Sequence, residues 1–160
     1  MRLHVKHYTT KSPRHSSITD MMNMEYEAGM TRLETYTEFS KMKGIHAIAT
    51  DTMRFLWEQF GAKKIVVGAG AAAKGNTFLN YCHIDQKLIQ CITDNTEFKQ
   101  GKFTPGSHIP IYSEDVLKEI KPDYVLVLPW NHFSEITKNL SFVKKWGGQF
   151  VRCIPELEVI

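Results

Sequence analysis

Residues 63–77 constrain the fold more than any other stretch. The apolar run Ile65-Val66-Val67 ends in Gly68-Ala69-Gly70-Ala71-Ala72-Ala73 and passes directly into Lys74-Gly75-Asn76-Thr77. A run without polar alternation suits a strand covered on both faces. Glycines behind such a strand let the backbone turn tightly and bring its N–H groups to a phosphate, whose charge the N-terminus of the next helix favours. The pattern is G-x-G-x-x-A. Gly68, Gly70 and Ala72 would form the turn, Lys74 would add a positive charge one step inside the helix, and Asn76 and Thr77 would be secondary donors. The same small residues would also serve plain close packing of helix on strand. Lys-Gly-Asn-Thr is not the Gly-Lys-Ser/Thr order of a P-loop, so an ATPase is not expected.

Strands and helices alternate from there on. Residues 88–93 predict a second strand, 94–108 a loop, and Ile109-Pro110-Ile111-Tyr112 a short strand whose proline marks an end or an edge. A helix over 113–120, a buried strand over 124–128, a helix over 131–146 and a strand over 150–154 complete the series. Helix-linked strands favour parallel pairing. The fold class expected is α/β: a Rossmann-like, doubly wound, mainly parallel sheet preceded by a helical segment. That segment begins with a strand over residues 2–8. Ser17 with Asp20 then reads as a capping box opening a helix to about Gly29, and Thr31 with Glu34 repeats the signal. Leu33, Tyr36, Ile45, Ile48, Thr52, Phe55, Leu56 and Phe60 follow near helical spacing, with Gly44 a point of interruption and Gly61 the C-terminal cap. Residues 1–61 thus form the lead-in and 62–160 the Rossmann-like region, within one compact domain.

Composition narrows the function classes. With 160 residues, 42% hydrophobic and 23% charged, the chain can bury a core of its own. A net charge of +3 without a Lys/Arg stripe gives no reason to expect nucleic acid as a partner. Cys82, Cys91 and Cys153 are widely spaced and read as buried, reduced thiols, with no metal site implied. No apolar run approaches a membrane span and no signal peptide opens the chain, so a cytoplasmic location is expected.

Two further features belong to the same crevice. Asp94 closes the second strand, where dinucleotide-binding sheets place an acid on the adenine ribose, so an NAD(P)-dependent oxidoreductase is one reading. Asp94 could equally cap the polar loop behind it. Pro129-Trp130-Asn131-His132 follows the Tyr124–Leu128 strand, and ligands of open α/β sheets bind beyond the carboxyl ends of the strands. Trp130 and Asn131 could therefore face the ligand, or serve as a lid on the core and a helix cap. A CoA- or nucleotide-sensing module without chemistry is the remaining alternative.

Taken in order, several segments resemble the C-terminal domain of the AdoMet-dependent nucleotide-sugar C-methyltransferases of deoxysugar biosynthesis. They are the stretch from Gly68 to Thr77, Asn80-Tyr81-Cys82-His83-Ile84, Asp94 to Lys102, Pro105-Gly106-Ser107-His108-Ile109-Pro110, Pro122-Asp123-Tyr124, Pro129-Trp130-Asn131 and Trp146-Gly147-Gly148-Gln149-Phe150. The resemblance implies a nucleoside diphosphate-sugar as ligand, with the diphosphate near the turn and Lys74. Lys99, Lys102 and His108 would reach the crevice from their loop. It also implies S-adenosylmethionine as cofactor of the complete enzyme but none in this chain. The family's catalytic His and Glu lie in a methyltransferase domain that nothing in this sequence matches, so no catalytic residue is expected here. A separate AdoMet-binding methyltransferase polypeptide is the partner this implies. Ala69 stands where family members often carry a tyrosine.

Overall fold

A computed structural model describes residues 7, 15–42 and 44–160. The strand expected over residues 2–8 lies outside them, apart from His7. The chain divides into two compact units, residues 1–42 and 43–160.

The described part of the first unit is a pair of helices, α1 (Ser16–Glu27) and α2 (Leu33–Met42). The Ser17–Asp20 box does not start α1. Instead the His15 ring accepts the Ser17 N–H at 3.3 Å, and Nδ1 of that ring lies 2.8 Å from Ser17 Oγ. Gly29, at φ +70°, ends the helix, and the Met30 N–H reaches back to the Glu25 carbonyl. No residue of α1 is buried.

The second unit opens with α3 (Ile45–Gly61). Gly61 is its last residue and not its cap. The left-handed position falls on Lys63, at φ +57°, while the Lys64 N–H closes the turn on the Gln59 carbonyl. There follow β1 (Val66–Ala69), α4 (Ala73–Tyr81), β2 (Ile92–Thr93), β3 (Ile111–Tyr112), α5 (Val116–Ile120), β4 (Tyr124–Val127), α6 (Phe133–Asn139), β5 (Gln149–Arg152) and β6 (Glu158–Val159). The sheet order is β3-β2-β1-β4-β5-β6, parallel throughout except for β5 with β6. This is a Rossmann-like α/β fold, with the order reversing between β1 and β4.

Strand periodicity sorts the core into two layers. Val66, Leu126 and Val151 pack with Phe55 and Leu56 of α3 and with Phe78 and Leu79 of α4. Val67, Val125, Val127 and Phe150 pack on the opposite face with Leu117 of α5, Phe133 of α6, and Leu140 and Val143 beyond it. Both faces are therefore covered by helices.

Several elements differ from the sequence expectation: β6 is not among the strands expected, and the helix expected over 113–120 is regular only at Val116–Ile120. The second strand is regular only at Ile92–Thr93, because Asp85 winds residues 85–89 into a turn: its carboxylate accepts the Lys87 N–H at 2.9 Å and its carbonyl the Ile89 N–H at 3.1 Å. The helix expected over 131–146 is three pieces: a 3-10 turn at Trp130–His132, α6, and a 3-10 segment at Ser141–Trp146. The tighter winding beyond Leu140 turns Val143 into the core, and the Trp146 indole N–H bonds the Pro122 carbonyl at 3.1 Å. The loop after Asp94 carries a hairpin-like return, where the Gly101 N–H meets the Ile111 carbonyl and the Ile111 N–H the Lys102 carbonyl.

Candidate functional site: the glycine turn and its cavities

At the end of β1 the chain turns on Gly70, whose φ of +85° suits glycine. A Cβ there would lie 2.6 Å from Pro129 Cδ and closer still to Cγ, so the glycine also admits the chain behind β4. The Gly70 N–H donates to the Thr93 carbonyl at 2.7 Å, and the Ala72 N–H donates to the Gly70 carbonyl at 2.9 Å. Gly68 lies within β1, where its N–H meets the Cys91 carbonyl and a Cβ would lie 2.8 Å from Ile92 Cγ1.

A half-buried ion pair clamps the turn. Asp94 Oδ2 accepts the Ala71 N–H at 2.7 Å and the Lys99 ammonium at 3.0 Å, and the same ammonium reaches the Ala71 carbonyl at 3.1 Å. Both backbone polar groups of Ala71 are thereby fixed. Asp94 Oδ1 accepts the Thr96 N–H at 2.9 Å, so the carboxylate already holds three donors. Asp94 is 7% exposed. Burial opposes its ionisation, but the bonds from Thr96, Lys99 and the Ala71 N–H outweigh that, and the carboxyl sits below its ordinary value.

Helix α4 starts at Ala73 behind the cap residue Ala72, and no side chain caps it. Beside this end stands Lys74. Its ammonium donates to Asn131 Oδ1 and lies 4.8 Å from the centre of the Trp130 ring. Asn131 is thus engaged with Lys74, and α6 starts two residues later without a side-chain cap. The Thr77 hydroxyl donates to the Ala73 carbonyl at 3.2 Å. Asn76 Oδ1 is buried and has no hydrogen-bond partner among the described residues.

Three cavities surround this end of α4. One, of about 360 Å³, is lined by Lys74, Thr77, Phe78, Tyr81 and Trp130 with Ile45, Ile48 and Ile154. A second, of about 380 Å³, lies over the carboxyl ends of β1 and β4 and gathers Gly70, Ala72, Asp94, Lys99, Glu114, His132 and Glu135. A third, of about 540 Å³, opens between Ala72, Asn76, Thr77 and the hairpin residues Thr104 and Pro105, with Lys99 at its wall as well. In the acidic second cavity, burial and the neighbouring charges of Asp94 and Asp115 push Glu114 above its ordinary value. Eight of the residues singled out from the sequence therefore line these cavities, namely Gly70, Ala72, Lys74, Asn76, Thr77, Asp94, Lys99 and Trp130, and Asn131 is joined to them through Lys74. Lys102 and His108 line none of the three. Lys102 stands 5.4 Å from the Phe98 ring and His108 stacks on Phe103, with ring centres 4.4 Å apart.

The family of C-methyltransferase C-terminal domains matches residues 1–155. The chain belongs to this family. A curated relative, C-methyltransferase NovU of Streptomyces niveus, is 34% identical over 145 residues, which cover 90% of this chain and 34% of the relative. The chain thus spans about a third of that relative's length. Among the described residues of this C-methyltransferase C-terminal domain, no group of three or more His, Cys, Asp and Glu is placed to hold a metal, and no helix is long and apolar enough to cross a membrane. Sequence reasoning missed the apolar wall of Ile48, Tyr81 and Ile154, which has no motif, and Glu114, whose place just beyond β3 was the available signal.

Proposed function

We propose that this domain holds a nucleoside diphosphate-sugar for AdoMet-dependent C-methylation, with the diphosphate at the start of α4. One observation carries the reading. Where no side chain caps α4, the Lys74 ammonium stands beside the first turn with a single acceptor among the described residues, Asn131. Two of its three N–H groups are left for a ligand, and the helix end adds its own unpaired amides. Family membership supplies the reaction class. The methyl donor belongs, in this reading, to another part of the complete enzyme. The glycine turn does not suit a ribose of S-adenosylmethionine or of NAD, because the acid that would take it, Asp94, already holds Ala71, Thr96 and Lys99.

Calorimetric titration of wild type and Lys74→Ala with a thymidine or uridine diphosphate-sugar tests this. Charge-assisted bonds of about 1.5–3 kcal/mol imply a loss of roughly tenfold or more in affinity, with the fold intact. Equal affinities of the two proteins would overturn it.

A further inference from the structure

We propose that the apolar cavity between α3 and α4 receives the nucleobase of the sugar nucleotide, its ring against the Trp130 indole and its diphosphate on Lys74. This placement rests on the diphosphate reading above and extends it to a part of the ligand which that reading leaves unplaced.

The cavity, at about 360 Å³, is within the size range of small-molecule sites. Its walls are Ile45, Ile48, Phe78, Tyr81, Trp130 and Ile154 with the carbon stem of Lys74, whose ammonium stands 4.8 Å from the centre of the Trp130 ring. An anionic group at that ammonium therefore brings whatever it carries alongside an aromatic and aliphatic surface. The two hydroxyls in the wall are engaged: Thr77 Oγ1 donates to the Ala73 carbonyl, and the Tyr81 hydroxyl lies 2.9 Å from His46 Nδ1. A sugar ring would bury several hydroxyls against a wall whose side chains offer only these two oxygens as acceptors, and each group left unpaired carries a desolvation cost. A pyrimidine ring has two apolar faces that need no partner, and its polar edge can point out of the cavity mouth into water. Stacking on an aromatic side chain is tolerant of base identity, because every base has a π-face. The cavity has a stacking surface and no group that reads a base edge, so uridine and thymidine diphosphates should bind alike.

The test uses the full chain and three probes: uridine diphosphate, thymidine diphosphate and inorganic pyrophosphate. The two nucleotides should bind with similar affinity, each about tenfold or more tighter than pyrophosphate, the range expected of one base–aromatic stack. Nuclear Overhauser contacts should run from the base protons to the methyls of Ile48 and Ile154. Trp130→Ala should abolish the advantage of the nucleotides, so that uridine and thymidine diphosphate bind this variant no tighter than pyrophosphate binds it. Contacts to Ile136, which lines the acidic cavity, would overturn the base placement, and so would nucleotides that bind no better than pyrophosphate. In either case a loss for all three probes in Lys74→Ala would leave the diphosphate reading standing. If no probe binds at millimolar concentration, the diphosphate reading fails and the base placement with it. The contacts in the wild-type chain decide the matter even if Trp130→Ala does not fold.

Discussion

Gly70→Ala separates two costs that the turn imposes at one position. The first is conformational: a residue with a Cβ at φ +85° pays about 1–2 kcal/mol for the left-handed backbone. The second is steric. The new Cβ would lie 2.6 Å from Pro129 Cδ, and both partners are backbone-anchored, so neither can swing away as a long side chain would. Forcing an extra methyl into a packed contact costs about 1–3 kcal/mol. The sum, about 2–5 kcal/mol, is a large part of the roughly 5–15 kcal/mol of a typical domain. Gly101→Ala is the internal control. Gly101 has φ +76°, and a Cβ there meets nothing within 4 Å, so that variant carries only the first cost. At about 2–4 °C per kcal/mol for a chain of this size, thermal unfolding should show Gly70→Ala lower than wild type by about 4–20 °C and Gly101→Ala by about 2–8 °C. Pro129→Ala in the Gly70→Ala background should recover the steric part and appear as a favourable coupling in a double-mutant cycle. Equal melting temperatures for Gly70→Ala and Gly101→Ala would refute the argument that β4 and the turn meet too closely for any side chain.

The remaining predictions concern charge and reactivity. Asp94 titrates below its unfolded value, so its contribution to stability is full above about pH 4 and is lost as pH falls through the folded pKa; Asp94→Asn should be less stable at pH 7 and show a flatter urea midpoint against pH in the acid range. Glu114 is shifted the other way, so its ionisation costs stability above its folded pKa; Glu114→Gln should raise the urea midpoint at pH 7, and the gain should vanish below about pH 4. Burial pushes Cys82 and Cys91 up to about 11 and Cys153 up to about 12, so an aromatic disulfide reagent at pH 8 should titrate none of the three thiols in the native chain and all three in urea.

Much of the fold was legible because two signals agree. The continuous apolar runs before Gly68 and after Asp123 mark central strands, and the small-residue turn marks where a helix must leave the sheet. What escaped was set by contacts distant in sequence. β6 exists through pairing with β5, where Phe150 and Ile160 exchange both backbone hydrogen bonds, and a two-residue strand has no periodicity of its own. The break after Asn139 has no proline or glycine to announce it. It follows from Leu140 and Val143 both being buried on one face, a spacing of three that 3-10 winding satisfies.

Asp94 shows why the site was harder to read than the fold. At the end of β2 an acid has two uses, to accept a ligand hydroxyl or to hold the loops that the sheet brings together, and the residue type is the same for both. The deciding group is Lys99, five residues on. Its ammonium reaches Asp94 and the Ala71 carbonyl because the chain winds into a 3-10 turn at Glu97–Lys99. No spacing rule links residues 71, 94 and 99, since the three converge only once β1 and β2 are paired. That convergence alters the electrostatics of the crevice. Lys99, a cation the sequence offers to a phosphate, spends its charge on a buried carboxylate, and Glu114 and Glu135 add negative charge to the same cavity. On the other side of the turn the cation is Lys74, whose protein partner is the neutral amide of Asn131. A diphosphate placed over the sheet would meet three carboxylates and one neutralised lysine. Placed at the start of α4, it would meet an unneutralised ammonium. In the proposed reading it is the asymmetry between these two lysines, and not the glycine pattern alone, that favours the α4 side for the anion.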